Sequence, residues 1–170
     1  MLARERAGEA RLPEIAQFID ANYPALLSFR QGRGAGELAR DFVRNDDRPP
    51  GIGLEQAHSW LLHVGPDRSI AGLLQLYEGH PTPASCYVGL LVFDGKLRGQ
   101  GQGAHVVREL LTEAAGSGVT DVRVAIDPLN VAALRFWHRL GFTRIEKIVT
   151  REPGYTLLEL VNPLDGASGG

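Results

Sequence analysis

The apolar positions of this chain change period part-way along it. In the first third they recur at helical spacing. Ile15, Phe18, Ile19 and Tyr23 follow Pro13, which suits a first helical turn because its missing N–H costs nothing there, and Pro24 interrupts the run. Gln31-Gly-Arg-Gly-Ala-Gly36 reads as a loop and Glu37 to Arg44 as a shorter helix. Asn45-Asp-Asp-Arg-Pro-Pro-Gly51 is a strong break. The 50 or so residues before it would bury too little to fold alone, so the break reads as a surface loop within one domain.

From His58 the period becomes that of strands. His58 to Val64 and Ile70 to Tyr77, joined by Gly65-Pro-Asp-Arg68, predict a hairpin. After Gly79-His-Pro-Thr-Pro83, the run Cys86 to Phe93 is apolar without alternation and predicts a central strand covered on both faces. Val106, Val107, Leu110, Leu111 and Ala114 mark one face of a helix over Ala104 to Ala115, ended by Gly116 or Gly118 in a left-handed cap. Asp121 to Ile126 is a further strand. Asn130 caps a helix with Leu134, Trp137 and Leu140 on one face and Gly141 as its stop. Ile145 to Thr150 and Tyr155 to Val161 predict two last strands around Glu152-Pro-Gly154. Residues 1–166 are expected to form a single domain of α/β class with a mixed sheet, and 167–170 a frayed tail.

The chemistry concentrates between the central strand and its helix. Arg98-Gly99-Gln100-Gly101-Gln102-Gly103-Ala104 sets alternate glycines in a strand–loop–helix order. Without side chains the backbone N–H groups can close on a phosphate, and the helix N-terminus adds partial positive charge. Arg98 and Lys96 contribute cations beside it, although Lys96 alone reads as a solvated surface charge. The pattern implies a phosphorylated ligand.

Composition narrows the classes. A 44% hydrophobic share and a net charge of −2 over 170 residues give no overall bias toward nucleic acid or membrane. The one cysteine, Cys86, sits in an apolar run, which reads as core and a reducing, cytoplasmic setting. Met1-Leu-Ala-Arg-Glu-Arg carries both charge signs with no apolar core after it, so no signal peptide is expected. No apolar stretch approaches the roughly 20 residues of a membrane span. His58, His63, His80, His105 and His138 show no metal-ligand spacing, so no metal is expected. No Gly-x-Ser-x-Gly elbow is present. Arg135, His138 and Arg139 share one helix and read as a solvated face.

Arg98-x-x-Gly101-x-Gly103, the helix after it, and Asn130 followed by Arg135-Phe-Trp-His-Arg-Leu-Gly-Phe142 resemble the GCN5-related N-acetyltransferase (GNAT) family. The resemblance is good over roughly residues 87–142 and rests on element order outside them. It implies the GNAT fold, with central strands that splay, and transfer of an acetyl group from acetyl-CoA to a primary amine by direct attack in a ternary complex. It further implies that the amides of Arg98, Gly99, Gln100, Gly101, Gln102, Gly103 and Ala104 hold the CoA pyrophosphate. Leu91, Val92 and Phe93 would offer backbone groups to the pantetheine arm, one of them polarising the thioester carbonyl. Asn130 would touch that arm, with helix capping as its other reading. A homodimer is an expectation by analogy.

The chain departs from the family at the chemistry. Many members place a tyrosine seven residues after the Asn to protonate the leaving thiolate. Here that residue is Trp137, whose indole N–H has no usable acidity, so it reads as cofactor contact or as packing. A tyrosine from elsewhere, Tyr87 or Tyr77, is an alternative acid. Some members carry a glutamate base where this chain has Ala125. Asp127, two residues on, shares its strand face but precedes Pro128, which suits a turn or cap residue. Glu78 and His80 close the strand from Ile70 and are the other candidate bases, His80 by virtue of a pKa near 6.5. A non-catalytic acetyl-CoA-binding module and, on the glycine spacing, an S-adenosylmethionine-dependent methyltransferase are the competing readings. The acceptor, a small amine or a peptide amine, is left open.

Overall fold

The structure, a computed structural model, describes residues 2–22, 32–66, 68–151 and 155–164. The chain divides into two compact units, Met1–Tyr77 with Leu90–Gly103, and Glu78–Gly89 with Ala104–Gly170. Among the described residues there are seven strands and four α-helices, an α/β fold on a mixed sheet.

In the first unit, β1 (Leu2–Arg6), β2 (Ala57–Val64) and β3 (Gly72–Glu78) form an antiparallel meander. The Asp94 N–H donates to the Ala71 carbonyl at 2.9 Å, which joins the end of β4 (Ser85–Phe93) to the start of β3. Two helices cover this sheet, α1 (Leu12–Ala21) and α2 (Ala35–Arg44). Ile15, Phe18 and Ile19 of α1 and Leu38 and Phe42 of α2 bury against Leu61, Leu73 and Val92, as the helical spacing requires. Tyr23, Pro24 and Gln31 lie outside the described residues.

The first strand was not legible beforehand. Leu2-Ala-Arg-Glu-Arg6 does not alternate cleanly and reads as a polar stretch, yet it pairs with β2 from Leu2↔Val64 to Arg6↔Trp60. It is an edge strand, and charges belong on such strands because they discourage pairing with other chains. The charges are used: the Glu5 carboxylate accepts from Arg11 at 2.9 Å and from Arg68 at 3.0 Å. The Asn45 break is an ordered corner. Asn45 closes α2 in the left-handed region (φ 55°), and its Oδ1 takes hydrogen bonds from buried Ser59 (2.9 Å) and Gln75 (3.1 Å).

In the second unit the order is β4-β5-β7-β6. Helix α3 (Gln102–Gly116) carries the chain from β4 to β5 (Asp121–Ile126), and such a crossover lets the two strands run parallel. That ladder runs from Ser85↔Asp121 to Val88↔Val124 and stops, although β5 continues to Ile126 against β7 (Tyr155–Pro163). The strands therefore part before either one ends. β6 (Arg144–Arg151) and β7 form the closing hairpin, while Glu152-Pro-Gly154 and residues 165–170 lie outside the described residues. Gly118, at φ 82°, makes the left-handed turn after α3, whereas Gly116 is still helical. The expected full cover of the central strand needs correction: its ends are buried, but Gly89, Leu90 and Leu91 are only half-buried. These are the residues from which the β5 ladder is missing.

Candidate active site

The glycine loop is built by short local contacts. Asp94 starts a single 3-10 turn by accepting the Lys96 N–H on its Oδ1 at 2.9 Å. Asn22, at the end of α1 and buried, accepts the Gly95 N–H at 3.0 Å and fixes where the loop leaves the sheet. The Arg98 Nε donates to the Phe93 carbonyl at 3.3 Å, and the Gln100 side chain donates to the Lys96 carbonyl at 2.8 Å. Asn22 has no motif to reveal it in the sequence, since only the packing of α1 brings it near residue 95.

Gly99 and Gly101 sit at φ 76° and 81°, and a Cβ placed on either would meet no atom within 4 Å. Open surroundings are shared by other glycines, Gly51, Gly65 and Gly118 among them, whereas two are crowded: a Cβ on Gly72 would lie 2.6 Å from the Val92 carbonyl oxygen, and one on Gly141 2.8 Å from Asn162 Nδ2. In the loop the glycines serve backbone direction and leave open space above it. Helix α3 begins at Gln102, inside the loop and two residues earlier than its apolar spacing suggests. The amides of the loop thus continue straight into unpaired N–H groups of a first helical turn, an anion-binding arrangement. Val92 and Phe93 just before it are buried, and Leu91 is half-buried.

The second unit holds Asn130, Trp137, Asp127, Glu78, His80 and Tyr87. Asn130 caps α4 (Val131–Arg139), its Oδ1 accepting the Ala133 N–H at 3.0 Å, which leaves the side-chain amide as a donor. Trp137 is 6% exposed and stands edge-on to Phe136 and Phe142, with ring centroids 5.2 and 4.8 Å away. That is a packing environment, and a proton donor would have no use for it. Asp127 accepts the Leu129 N–H at 2.8 Å, the turn role that Pro128 suggested. Arg135, His138 and Arg139 are exposed. Cys86 is buried, and burial pushes its thiol up to about 12, so it stays protonated and unreactive.

His80 and Tyr87 meet. The rings stand edge to face at 5.2 Å, both half-buried, while Glu78 is exposed at the end of β3. Burial holds the His80 imidazole below its ordinary value; Glu159 opposes this, and Lys147 and Arg123 reinforce it. Those three form a row that sequence reading missed. Tyr87 pairs with Arg123, Ala125 with Glu159, and Glu159 with Lys147, so Arg123, two residues before Ala125, reaches Glu159 diagonally and the polar groups of β4, β5, β7 and β6 connect. Arg123 donates to Asp121 at 2.7 Å and to Glu159 at 3.1 Å, and Lys147 Nζ lies 3.3 Å from the other Glu159 oxygen. Glu159 is 2% exposed. The strand beside Ala125 thus places a carboxylate next to the position where the resemblance leads one to look for a base.

The chain matches the family model described as "Acetyltransferase (GNAT) family" over residues 21–142. No curated protein sequence matches it. Among solved structures, an acetyltransferase from Thermus thermophilus superposes with a TM-score of 0.73 at 20% identity, covering 96% of this chain and 97% of that one. A Salmonella typhimurium acetyltransferase described as modifying the N-terminal serine of ribosomal protein L7/L12 gives 0.75 at 18%, over 96% and 95%. An aminoglycoside acetyltransferase in complex with coenzyme A gives 0.70 at 17%, over 96% and 95%. At these identities the structures speak for the fold. The family match covers the glycine loop and its helix, which removes the methyltransferase reading. A splayed mixed sheet, a glycine loop opening a helix and a family model spanning most of the chain agree: this protein belongs to the GNAT acetyltransferase family.

Proposed function

We propose that the protein is an N-acetyltransferase that moves an acetyl group from acetyl-CoA to a primary amine by direct attack in a ternary complex. The observation that carries this is the loop at Gly99 and Gly101, where two left-handed glycines with open surroundings lead directly into the first turn of α3 at Gln102. That space suits a pyrophosphate facing bare amides. When bound, acetyl-CoA supplies a thioester as acetyl donor and a thiolate as leaving group. Arg98, Gly99, Gln100, Gly101, Gln102, Gly103 and Ala104 would hold its pyrophosphate, the backbone of Leu91 to Phe93 its pantetheine arm, and the Asn130 amide that arm's polar atoms. Trp137 would support the pocket through packing.

Within this reading His80 takes the proton of the attacking amine. Its lowered pKa keeps the imidazole neutral at pH 7, the form a base needs, and Tyr87 fixes the ring from the edge. The amine nitrogen bonds to the carbonyl carbon, the carbon–sulfur bond breaks with its electron pair on sulfur, and the amine proton passes to His80. A thiol with a pKa of about 8.5 leaves near neutral pH without an enzyme acid, so a buried Trp137 is no obstacle. Glu78 and Asp127 are weaker candidates: the first is exposed and the second already serves its turn.

The reducing cytoplasm suits a buried free cysteine. Peptide N-termini and aminoglycoside-type amines, the acceptors named for the structural neighbours, are the first to test. Thiol release should appear when acetyl-CoA meets a panel of such amines, and acetyl-CoA should bind in a calorimeter without any acceptor. Absence of binding would overturn the proposal. Binding with no release from any amine would favour a regulatory acetyl-CoA-binding module, the reading that a buried Trp137 and Ala125 otherwise support.

A further inference from the structure

We infer that the first unit carries a second, separate site for a small ligand bearing an oxyanion, a carboxylate or a phosphate. The site is a hollow of about 500 Å³ between the end of β1, the end of α2 and the start of β2, and Arg6, Arg44 and Arg48 all line it. This volume is that of a small-molecule pocket. Three guanidinium groups around one hollow repel one another, and such a cluster is stable only where something spreads or balances the charge.

Here the balance is incomplete. Arg6 is held by the His58 Nδ1 at 2.7 Å and the Ala57 carbonyl at 3.4 Å, and it lies over the Trp60 ring at 5.3 Å. Arg48 donates from Nε to the Ile52 carbonyl at 2.9 Å and from Nη1 to the Asn45 carbonyl at 3.1 Å. None of the four acceptors is a carboxylate, so both side chains are fixed in direction while keeping their charge. Of the three, Arg44 alone has a carboxylate partner among the described residues, Glu9, at 3.0 Å. Asp46 is the one acidic residue among the described residues of the lining. The described lining itself thus holds three cations and one carboxylate; Glu9 and Asp41 act on Arg44 from outside it, Asp41 being paired with Arg33.

Oriented guanidinium groups with donors left over are suited to an oxyanion, because the fork matches two oxygens and little side-chain freedom remains to be lost on binding. Arg48 Nη2 and Arg44 Nη1 and Nη2 have no hydrogen-bond partner among the described residues. Val43 and Leu54 supply an apolar wall, which would face the uncharged part of the ligand. This site does not use the glycine loop, and it stands whether or not the chain acetylates amines.

The test follows the Trp60 indole N–H by NMR while the full-length chain is titrated with inorganic phosphate and, separately, with acetate. CoA is present throughout to occupy the loop. Saturable movement of the Trp60 signal in one or both series is expected, and the stronger series identifies the oxyanion. Arg6→Gln and Arg48→Gln should each weaken binding by about tenfold or more, the loss of one charge-assisted contact. Arg48 also ties its loop, so Arg6→Gln, which alters an exposed residue on the edge strand β1, serves if Arg48→Gln does not fold. A Trp60 signal that stays put in both series, or titrates identically in Arg6→Gln, would overturn the site.

Discussion

Replacing Gly101 by alanine separates a glycine kept for ligand from one kept for the fold. Its φ of 81° is a region that L residues rarely adopt, but the added Cβ would meet no atom within 4 Å. The folded protein therefore bears only the backbone penalty, about 1–2 kcal/mol, with no clash to add. For a chain of 170 residues each kcal/mol moves Tm by about 2–4 °C, so thermal unfolding should fall by only a few degrees. Cofactor binding should suffer more. The methyl group would stand in the space where the pyrophosphate must approach the amides, and a hydrogen bond to a charged group contributes about 1.5–3 kcal/mol. Loss of one or two such contacts predicts acetyl-CoA affinity weaker by about 100-fold, or about 2.7 kcal/mol. Calorimetric titration of the variant, beside its melting curve, reads both quantities. Unchanged affinity in a folded variant would refute the cradle, and a melting loss above about 10 °C would show that the glycine serves the fold instead.

The same substitution at Gly72 should behave in the opposite way. Its Cβ would lie 2.6 Å from the Val92 carbonyl oxygen, so the backbones must separate, and a loss of about 3 kcal/mol in denaturant unfolding is expected. Activity should depend on neutral His80. Because burial lowers its pKa, the base is present at pH 7 and is lost only as pH falls through that lowered value, so the acid limb of kcat/KM should lie below 6.5; His80→Gln should remove the limb along with most of the rate, and a limb that survives would exclude His80. Trp137→Tyr should not raise turnover, because the site is a ring cluster, while Trp137→Ala should cost about 3–5 kcal/mol of stability; a faster Tyr variant would mean that an acid limits the rate. Glu159→Gln should destabilise by about 3 kcal/mol by leaving Arg123 short of a buried partner, and a neutral outcome in thermal unfolding would show that the row contributes little.

What could be read from the amino acids alone is what depends on neighbours in the chain. Helical spacing at Ile15, Phe18 and Ile19, strand period from His58, the Asn130 cap and the glycine loop are local patterns, and the elements stand within a few residues of where the patterns put them. The family resemblance drew on the same segment. The first strand escaped because Leu2–Arg6 is an edge, where pairing with β2 overrides a polar sequence. The polar row escaped for a related reason. Arg123, Glu159 and Lys147 are far apart in sequence, and only strand order and register set them side by side. Asn22 beside Gly95, the meeting of His80 with Tyr87, and the convergence of Arg6, Arg44 and Arg48 on one hollow are of the same kind. A chain announces its helices, strands and turns through short-range sterics and burial period, whereas contacts between distant residues depend on how those elements pack, and that is settled only when the whole core closes.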